Sequence, residues 1–143
     1  MIQRIQSLWL LIVALTAFAT STLTLYVGDL PNNGGQIPFK LASNLLLVII
    51  VILLGILALI CLFLYKNRKL QFKLSVVGVI LSIGFLFLEY YIVENIFKPA
   101  HAVQTGSYQI GALLPLVMAV FYFLAARGMY KDERLIKSMN RLR

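Results

Sequence analysis

The chain has 143 residues, of which 61% are apolar and only 13% are charged, whereas soluble domains carry about 25% charged residues. Its mean hydropathy is +0.90, and a body of this size leaves too much surface outside to hide so many apolar side chains. The composition excludes an ordinary soluble domain and favours a membrane protein. The formal net charge of +8 is compatible with nucleic acid or an anionic membrane surface as a partner.

Four apolar stretches are long enough to cross a hydrocarbon core of about 30 Å as helices. They cover residues 8–27, 45–64, 74–93 and 110–126. The sequence therefore predicts an all-α fold, a single integral membrane domain over residues 1–143 built as a four-helix transmembrane bundle. The first stretch has an alternative interpretation as a signal peptide, because Arg4 precedes an apolar run that reaches Ala17 and Ala19. We expect it to be retained as a span.

Basic residues lie almost entirely on one side of the predicted spans. Eleven of the thirteen Lys and Arg residues lie on one side of the predicted spans, and Lys40 and Lys98 lie on the other. The positive-inside rule assigns the side with more basic residues to the cytoplasm. Both termini are therefore predicted to be cytoplasmic. Most of the net charge is an orientation signal, so we expect no nucleic-acid partner.

The segment 28–38, rich in Gly, Pro and Asn, is predicted to be an ordered turn or a short mobile loop.

Glu89 is the ionisable residue that falls clearly within a predicted span. Ser75, Gly78, Ser82 and Phe85 precede it at spacings of three and four, which places all five on one stripe of a helix. Small residues on such a stripe allow close helix approach, so Glu89 is expected to face protein rather than lipid, in an intramembrane polar site with Ser75 and Ser82. Two interpretations stay open: a coupling acid for protons or cations, or a neutral or hydrogen-bonded group near the outer interface.

The segment 127–143 predicts a basic amphipathic cytoplasmic helix from about residue 131 to 141, turning away from the fourth span near Gly128. It either lies on anionic headgroups or docks on a partner. The candidate lipid- or partner-docking residues here and in the loop after the second span are Lys66, Arg68, Lys69, Lys131, Arg134, Lys137, Arg141 and Arg143.

Cysteine and histidine each occur once, as Cys61 and His101. These counts exclude an intrachain disulfide, a redox pair, a cysteine-based zinc site and a histidine cluster. We predict no cofactor, no metal and no catalytic residue. An enzyme is the least supported class, because no Ser/His/acid set or phosphate-binding glycine loop is present in the sequence.

Three segments carry a resemblance: MIQRIQ at residues 1–6, KNRKLQ at 66–71 and KDERLIKSMNRLR at 131–143. Together they resemble the domain of unknown function DUF4293, a bacterial family of small four-helix membrane proteins, over the whole chain. The resemblance implies a multi-pass protein of the bacterial inner membrane, without an assigned activity.

Two functions from different classes remain. The first is an accessory or scaffold subunit that binds a membrane or cytoplasmic protein partner, or a second copy of itself, alongside the lipid bilayer. The alternative is a small ion-coupled transporter that uses Glu89 and works as a dimer.

Overall fold

A computed structural model gives the structure of the protein and describes residues 2–31, 35–64 and 67–140, with side chains described for 5–31, 35–64 and 67–135. The elements in these ranges are α1 (Ile2–Thr22), β1 (Thr24–Asp29), β2 (Gln36–Lys40), α2 (Leu45–Phe63), α3 (Arg68–Ile92), α4 (Lys98–Ala100), β3 (Thr105–Tyr108) and α5 (Ile110–Asn140). A 3-10 turn, Leu41–Ser43, precedes α2, and a π-helical turn, Val93–Phe97, joins α3 to α4.

The four long helices form a ring in which α1 packs against α2 and α5, and α3 packs against the same two helices. Each helix buries one stripe of residues at alternating spacings of three and four, the pattern that keeps a stripe facing a bundle axis. The stripes are Gln6, Leu10, Val13, Ala17 and Thr20 on α1; Leu47, Val51, Leu54, Ala58 and Cys61 on α2; Gln71, Ser75, Gly78, Ser82, Phe85, Glu89 and Ile92 on α3; and Pro115, Met118, Tyr122, Ala125, Met129 and Asp132 on α5.

The outward faces of these helices are also apolar. Phe63, Phe87 and Ile110 are each about three-quarters exposed, and many Leu, Ile and Val side chains accompany them. Soluble monomers rarely expose contiguous apolar patches of this extent. In the described part of the chain, four helices are long and apolar enough to cross a membrane.

The helix boundaries agree best with prediction where the sequence gives a local signal. Asn44 caps α2, because its side chain accepts a hydrogen bond of 3.0 Å from the Leu46 N–H, and the helix covers Leu45–Phe63 against the predicted 45–64. Helix α3 begins six residues before the predicted 74, since Arg, Lys and Gln are good helix formers and extend it beyond the apolar run.

A three-stranded antiparallel sheet in the order β2-β1-β3 corrects the all-α prediction. The predicted span 8–27 ends as a helix at Thr22, and its last residues belong to the central strand β1. Of the segment 28–38 that was predicted to be a turn or loop, residues 28–29 end β1 and residues 36–38 begin β2, while residues 32–34 lie outside the described residues. Strand β1 pairs with β3 across the whole of α2 and α3, with Val27 opposite Ser107. A pairing between strands so far apart in the sequence cannot be predicted from the hydropathy of a short segment.

The predicted turn near Gly128 is wrong, because α5 continues as one helix from Ile110 to Asn140. Gly128 lies against α1, where an added Cβ would meet the Gln6 Cγ at 3.0 Å. Packing against α1 therefore holds this part of α5 in the bundle, and the basic segment extends the fourth helix instead of forming a separate one.

Tyr122 joins three of the four helices near the middle of the bundle. Its ring occupies the space over Gly78 on α3, where an added Cβ would lie 2.6 Å from ring carbon Cε1. Its buried hydroxyl donates a hydrogen bond of 2.6 Å to the Leu54 carbonyl on α2. Glycine at position 78 is therefore required by the close approach of α3 and α5.

Replacing Gly78 by alanine is expected to destabilise the fold by about 1–3 kcal/mol, because the new methyl group displaces the Tyr122 ring. Gly84→Ala is the matched control on the same helix, since no atom lies within 4 Å of its added Cβ. Thermal unfolding of the purified protein in detergent compares the two. Equal unfolding temperatures for both variants would contradict the packing described here.

Candidate functional site

The carboxylate of Glu89 is buried inside the bundle. The residue is 2% exposed, and both carboxylate oxygens lack a hydrogen-bond partner among the described residues. The sequence prediction that Glu89 faces protein agrees with this placement. The predicted polar companions bond elsewhere: Ser82 donates to the Gly78 carbonyl at 2.7 Å, and the Ser75 hydroxyl lies 3.9 Å from the Cys61 sulfur.

The depth of Glu89 follows from contacts further along the bundle. Ser75 lies within 3.9 Å of both the Cys61 and the Met129 sulfur atoms, so these three residues share one layer. A second layer lies fourteen residues along each helix from the first, or about 21 Å at 1.5 Å per residue. It contains Leu47 on α2, Glu89 on α3 and Pro115 on α5. Glu89 thus lies in a mainly apolar layer, where an unpaired charge is costly.

Pro115, which lies at the same depth as Glu89, removes one backbone hydrogen-bond donor from α5. A proline inside a helix has no N–H to donate to the carbonyl four residues earlier, which here belongs to Gly111. No group of three or more His, Cys, Asp or Glu side chains that could hold a metal ion occurs among the residues whose structure is described. Glu89 itself supplies this layer with a carboxyl group, which can act as a proton donor or acceptor.

The opposite end of the bundle, named the basic end, contains the start of α1, the start of α3 and the last turns of α5. Gln6 Nε2 donates a hydrogen bond of 2.6 Å to Asp132 Oδ2, and both residues are buried. This bond joins residues 126 positions apart and ties the MIQRIQ segment to the KDERLIKSMNRLR segment. Neither residue was predicted from the sequence to be a site residue, although each continues the buried stripe of its helix at spacings of three and four.

The KNRKLQ segment is fixed at the same end by Gln71. Its buried side chain donates a hydrogen bond of 2.9 Å from Nε2 to the Cys61 carbonyl, which links the start of α3 to the end of α2. The described parts of the three segments that carry the family resemblance therefore lie together at the basic end, where Gln6, Gln71 and Asp132 make buried hydrogen bonds.

A cleft of about 510 Å³ lies at the basic end between α3 and α5. It brings two predicted docking residues, Arg68 and Lys69, together with Lys73 and with Glu133 of α5. Lys131 and Arg134 are exposed on α5. Lys66, Arg141 and Arg143 lie outside the described residues, as does the side chain of Lys137. Lys73 and Glu133 were not among the predicted docking residues, because they come together only through the packing of α3 against α5.

The other end of the bundle, named the sheet end, has few free charges. Lys98 forms an ion pair of 2.5 Å with Glu94 and lies 5.4 Å from the centre of the Tyr26 ring. Tyr108 donates a weaker hydrogen bond of 3.4 Å to Glu94. Desolvation and, second, the nearby Glu94 carboxylate raise the pKa of Tyr108 above its ordinary value. The two ends of the bundle therefore differ strongly in electrostatic character.

Fold and site together define a class: a four-helix protein whose helices are long and apolar enough to cross a membrane, with a small sheet at one end and a basic surface at the other. The family model described as Domain of unknown function (DUF4293) matches residues 2–142. The chain belongs to this family, as the resemblance in its three segments predicted. No curated protein and no solved structure gives a significant match.

Gln6→Ala is expected to destabilise the fold by about 1–3 kcal/mol, because it leaves the buried Asp132 carboxylate without the Gln6 amide. Gln36→Ala is the matched control, since Gln36 donates an exposed hydrogen bond of 3.0 Å to Asp29 and its loss costs little. Urea or thermal unfolding in detergent measures both. The buried bond has no structural importance if the two variants are equally stable.

Proposed function

We propose that the chain is an integral protein of the bacterial inner membrane, with four transmembrane helices and both termini in the cytoplasm. Four helices of sufficient length and apolar character support the insertion. The sequence places eleven basic residues on one side of the predicted spans and two on the other, and this split supports the orientation, since basic residues concentrate in cytoplasmic segments. The basic end is then cytoplasmic.

We further propose that the protein acts by binding, as an accessory or scaffold subunit, without catalysing a reaction and without a cofactor. The observation that carries this proposal is the convergence of the MIQRIQ, KNRKLQ and KDERLIKSMNRLR segments at the basic end. Buried contacts of Gln6 with Asp132 and of Gln71 with Cys61 hold the backbone there, while Arg68, Lys69 and other basic side chains face outward or line the cleft. A rigid, charged surface of this kind suits a protein partner or anionic headgroups.

Charge reversal on the exposed part of α5 tests the proposal. Lys131→Glu/Arg134→Glu is expected to release a stoichiometric membrane subunit that copurifies with the wild-type protein in mild detergent, because like charges at an interface repel. Lys40→Glu, an exposed reversal at the sheet end, is the control and is expected to retain the subunit.

A reporter fused after Arg143 separates lost docking from inverted insertion, since basic residues also set orientation. It is expected to stay cytoplasmic in the wild type and in both variants. Retention of the subunit in the double variant would refute the α5 surface as the docking site, and an external reporter in the wild type would refute the orientation.

A second candidate function, a small ion-coupled transporter working as a dimer, is favoured by one observation. Glu89 is buried without a hydrogen-bond partner among the described residues, and an acid inside a membrane span is a candidate for proton or cation coupling. In the proposed membrane orientation, Glu89 lies near the sheet end, about 21 Å from the Ser75 layer and away from the middle of the membrane.

Glu89→Gln is expected to abolish proton flux into proteoliposomes under an imposed potential if this second function holds, because the amide cannot exchange a proton. Glu94→Gln, five residues further along the chain, makes the same chemical change at a residue that is paired with Lys98 and is expected to retain flux. A pH-sensitive dye inside the vesicles measures both. Flux that is absent in the wild type, or unchanged in Glu89→Gln, removes the transporter hypothesis.

A further inference from the structure

An apolar groove of about 360 Å³ runs along the outside of the bundle between α3 and α5. Phe72, Val76 and Ile80 form its α3 side, and Phe123 and Tyr130 form its α5 side. From Phe72 to Ile80 the groove extends about 12 Å along the helix, close to the roughly 15 Å hydrocarbon depth of one membrane leaflet. Its dimensions and chemistry fit part of an acyl chain.

The groove adjoins the basic cleft on the same pair of helices. Phe72 lines the groove and its neighbour Lys73 lines the cleft, while Tyr130 lines the groove and Glu133, three residues on, lines the cleft. The rings of Phe72 and Tyr130 have centroids 6.1 Å apart and mark the boundary between the two spaces. A molecule with an apolar part and a negatively charged part could therefore bind with the apolar part in the groove and the charged part in the adjoining cleft.

The charges beside this boundary select an anion. Arg127 is exposed and is the charged residue among those lining the groove, and Arg68, Lys69 and Lys73 line the cleft. Among the described residues that line the cleft, Glu133 is acidic and Arg68, Lys69 and Lys73 are basic, so their charges sum to a positive value. Arginine and lysine are the side chains that bind phosphate oxygens most strongly.

A second copy of the chain is a poorer occupant for electrostatic reasons. If both copies have the same orientation in the membrane, a symmetric contact at this groove brings their basic ends side by side, and like charges repel. An anionic lipid instead neutralises these charges, and each basic residue near an anionic headgroup contributes on the order of 1 kcal/mol.

We propose that the α3–α5 groove and the adjoining cleft together bind one anionic glycerophospholipid, with an acyl chain against Val76 and Ile80 and the phosphate beside Lys73 and Arg127. The proposal rests on the membrane location proposed above. It names a lipid site of defined residues, in addition to the general attraction between a basic surface and a charged membrane.

Native mass spectrometry of the full-length protein in detergent tests this site. The protein is titrated with phosphatidylglycerol or with phosphatidylcholine of identical acyl chains, and the first phosphatidylglycerol is expected to bind about tenfold more tightly. Lys73→Gln/Arg127→Gln is expected to lose this preference. Lys40→Gln/Lys98→Gln removes the same charge from the sheet end and is expected to retain it.

A second pair of variants tests the apolar part. Val76→Trp fills the groove and is expected to weaken phosphatidylglycerol binding at least fivefold, whereas Ile52→Trp adds the same side chain to an exposed position on α2 and leaves binding unchanged. Both positions are exposed, so neither variant disturbs the core.

Three results would overturn the proposal: equal affinity of the wild type for the two lipids, unchanged preference in Lys73→Gln/Arg127→Gln, or full binding in Val76→Trp. Conversion of a dimer to a monomer by Val76→Trp without a change in lipid binding would assign the groove to a second copy instead. The readout uses purified protein, so it is independent of the reporter and subunit measurements that test the proposed membrane function.

Discussion

The Tyr122 side chain is the junction on which the arrangement of the helices depends. Its ring fits over Gly78 only because glycine has no Cβ. Its hydroxyl donates a hydrogen bond to the Leu54 carbonyl oxygen, whose other lone pair accepts the backbone hydrogen bond within α2. Three helices are thereby fixed in rotation and in height at one layer. Because the buried stripes repeat at spacings of three and four, fixing one layer also fixes which residues meet in the layers on either side. The Ser75, Cys61 and Met129 layer and the Glu89 layer both follow from this register.

The two ends of the bundle are stabilised by different means. At the sheet end, strand pairing and aromatic contacts dominate: Phe97 packs against Tyr26 and Phe39, with ring centroids 6.1 and 4.9 Å apart. At the basic end, the side-chain amides of Gln6 and Gln71 hold neighbouring helices through buried hydrogen bonds. Neutral amides can bridge helices there without adding to an already large positive charge. The basic side chains thus remain available at the surface, where both proposed binding functions need them.

Much of this structure follows from local sequence signals, and the remainder depends on long-range contacts. Four helices, the boundaries of α2 and the inward face of Glu89 could be predicted, because hydropathy, a capping asparagine and helical spacing act over a few residues. The sheet could not, since β1 pairs with β3 from beyond two helices. The continuation of α5 through Gly128 was also not predicted, because glycine is common where helices end. The contact of Gly128 with Gln6, which keeps this part of α5 in the bundle, is a long-range contact that local sequence does not reveal. Likewise, the cleft at the basic end exists only once Lys73 and Glu133 are brought together.

The bond between Gln6 and Asp132 has a consequence for biosynthesis. During translation, α1 is made first, yet its buried amide has no carboxylate partner until the ribosome has nearly finished α5. Strand β1, at the other end of the same helix, likewise waits for β3, which immediately precedes α5. The first helix and the strand that follows it therefore each lack one native partner while the middle of the chain is synthesised. The ring of helices can close only after α5 has been made, because the final helix packs against the first.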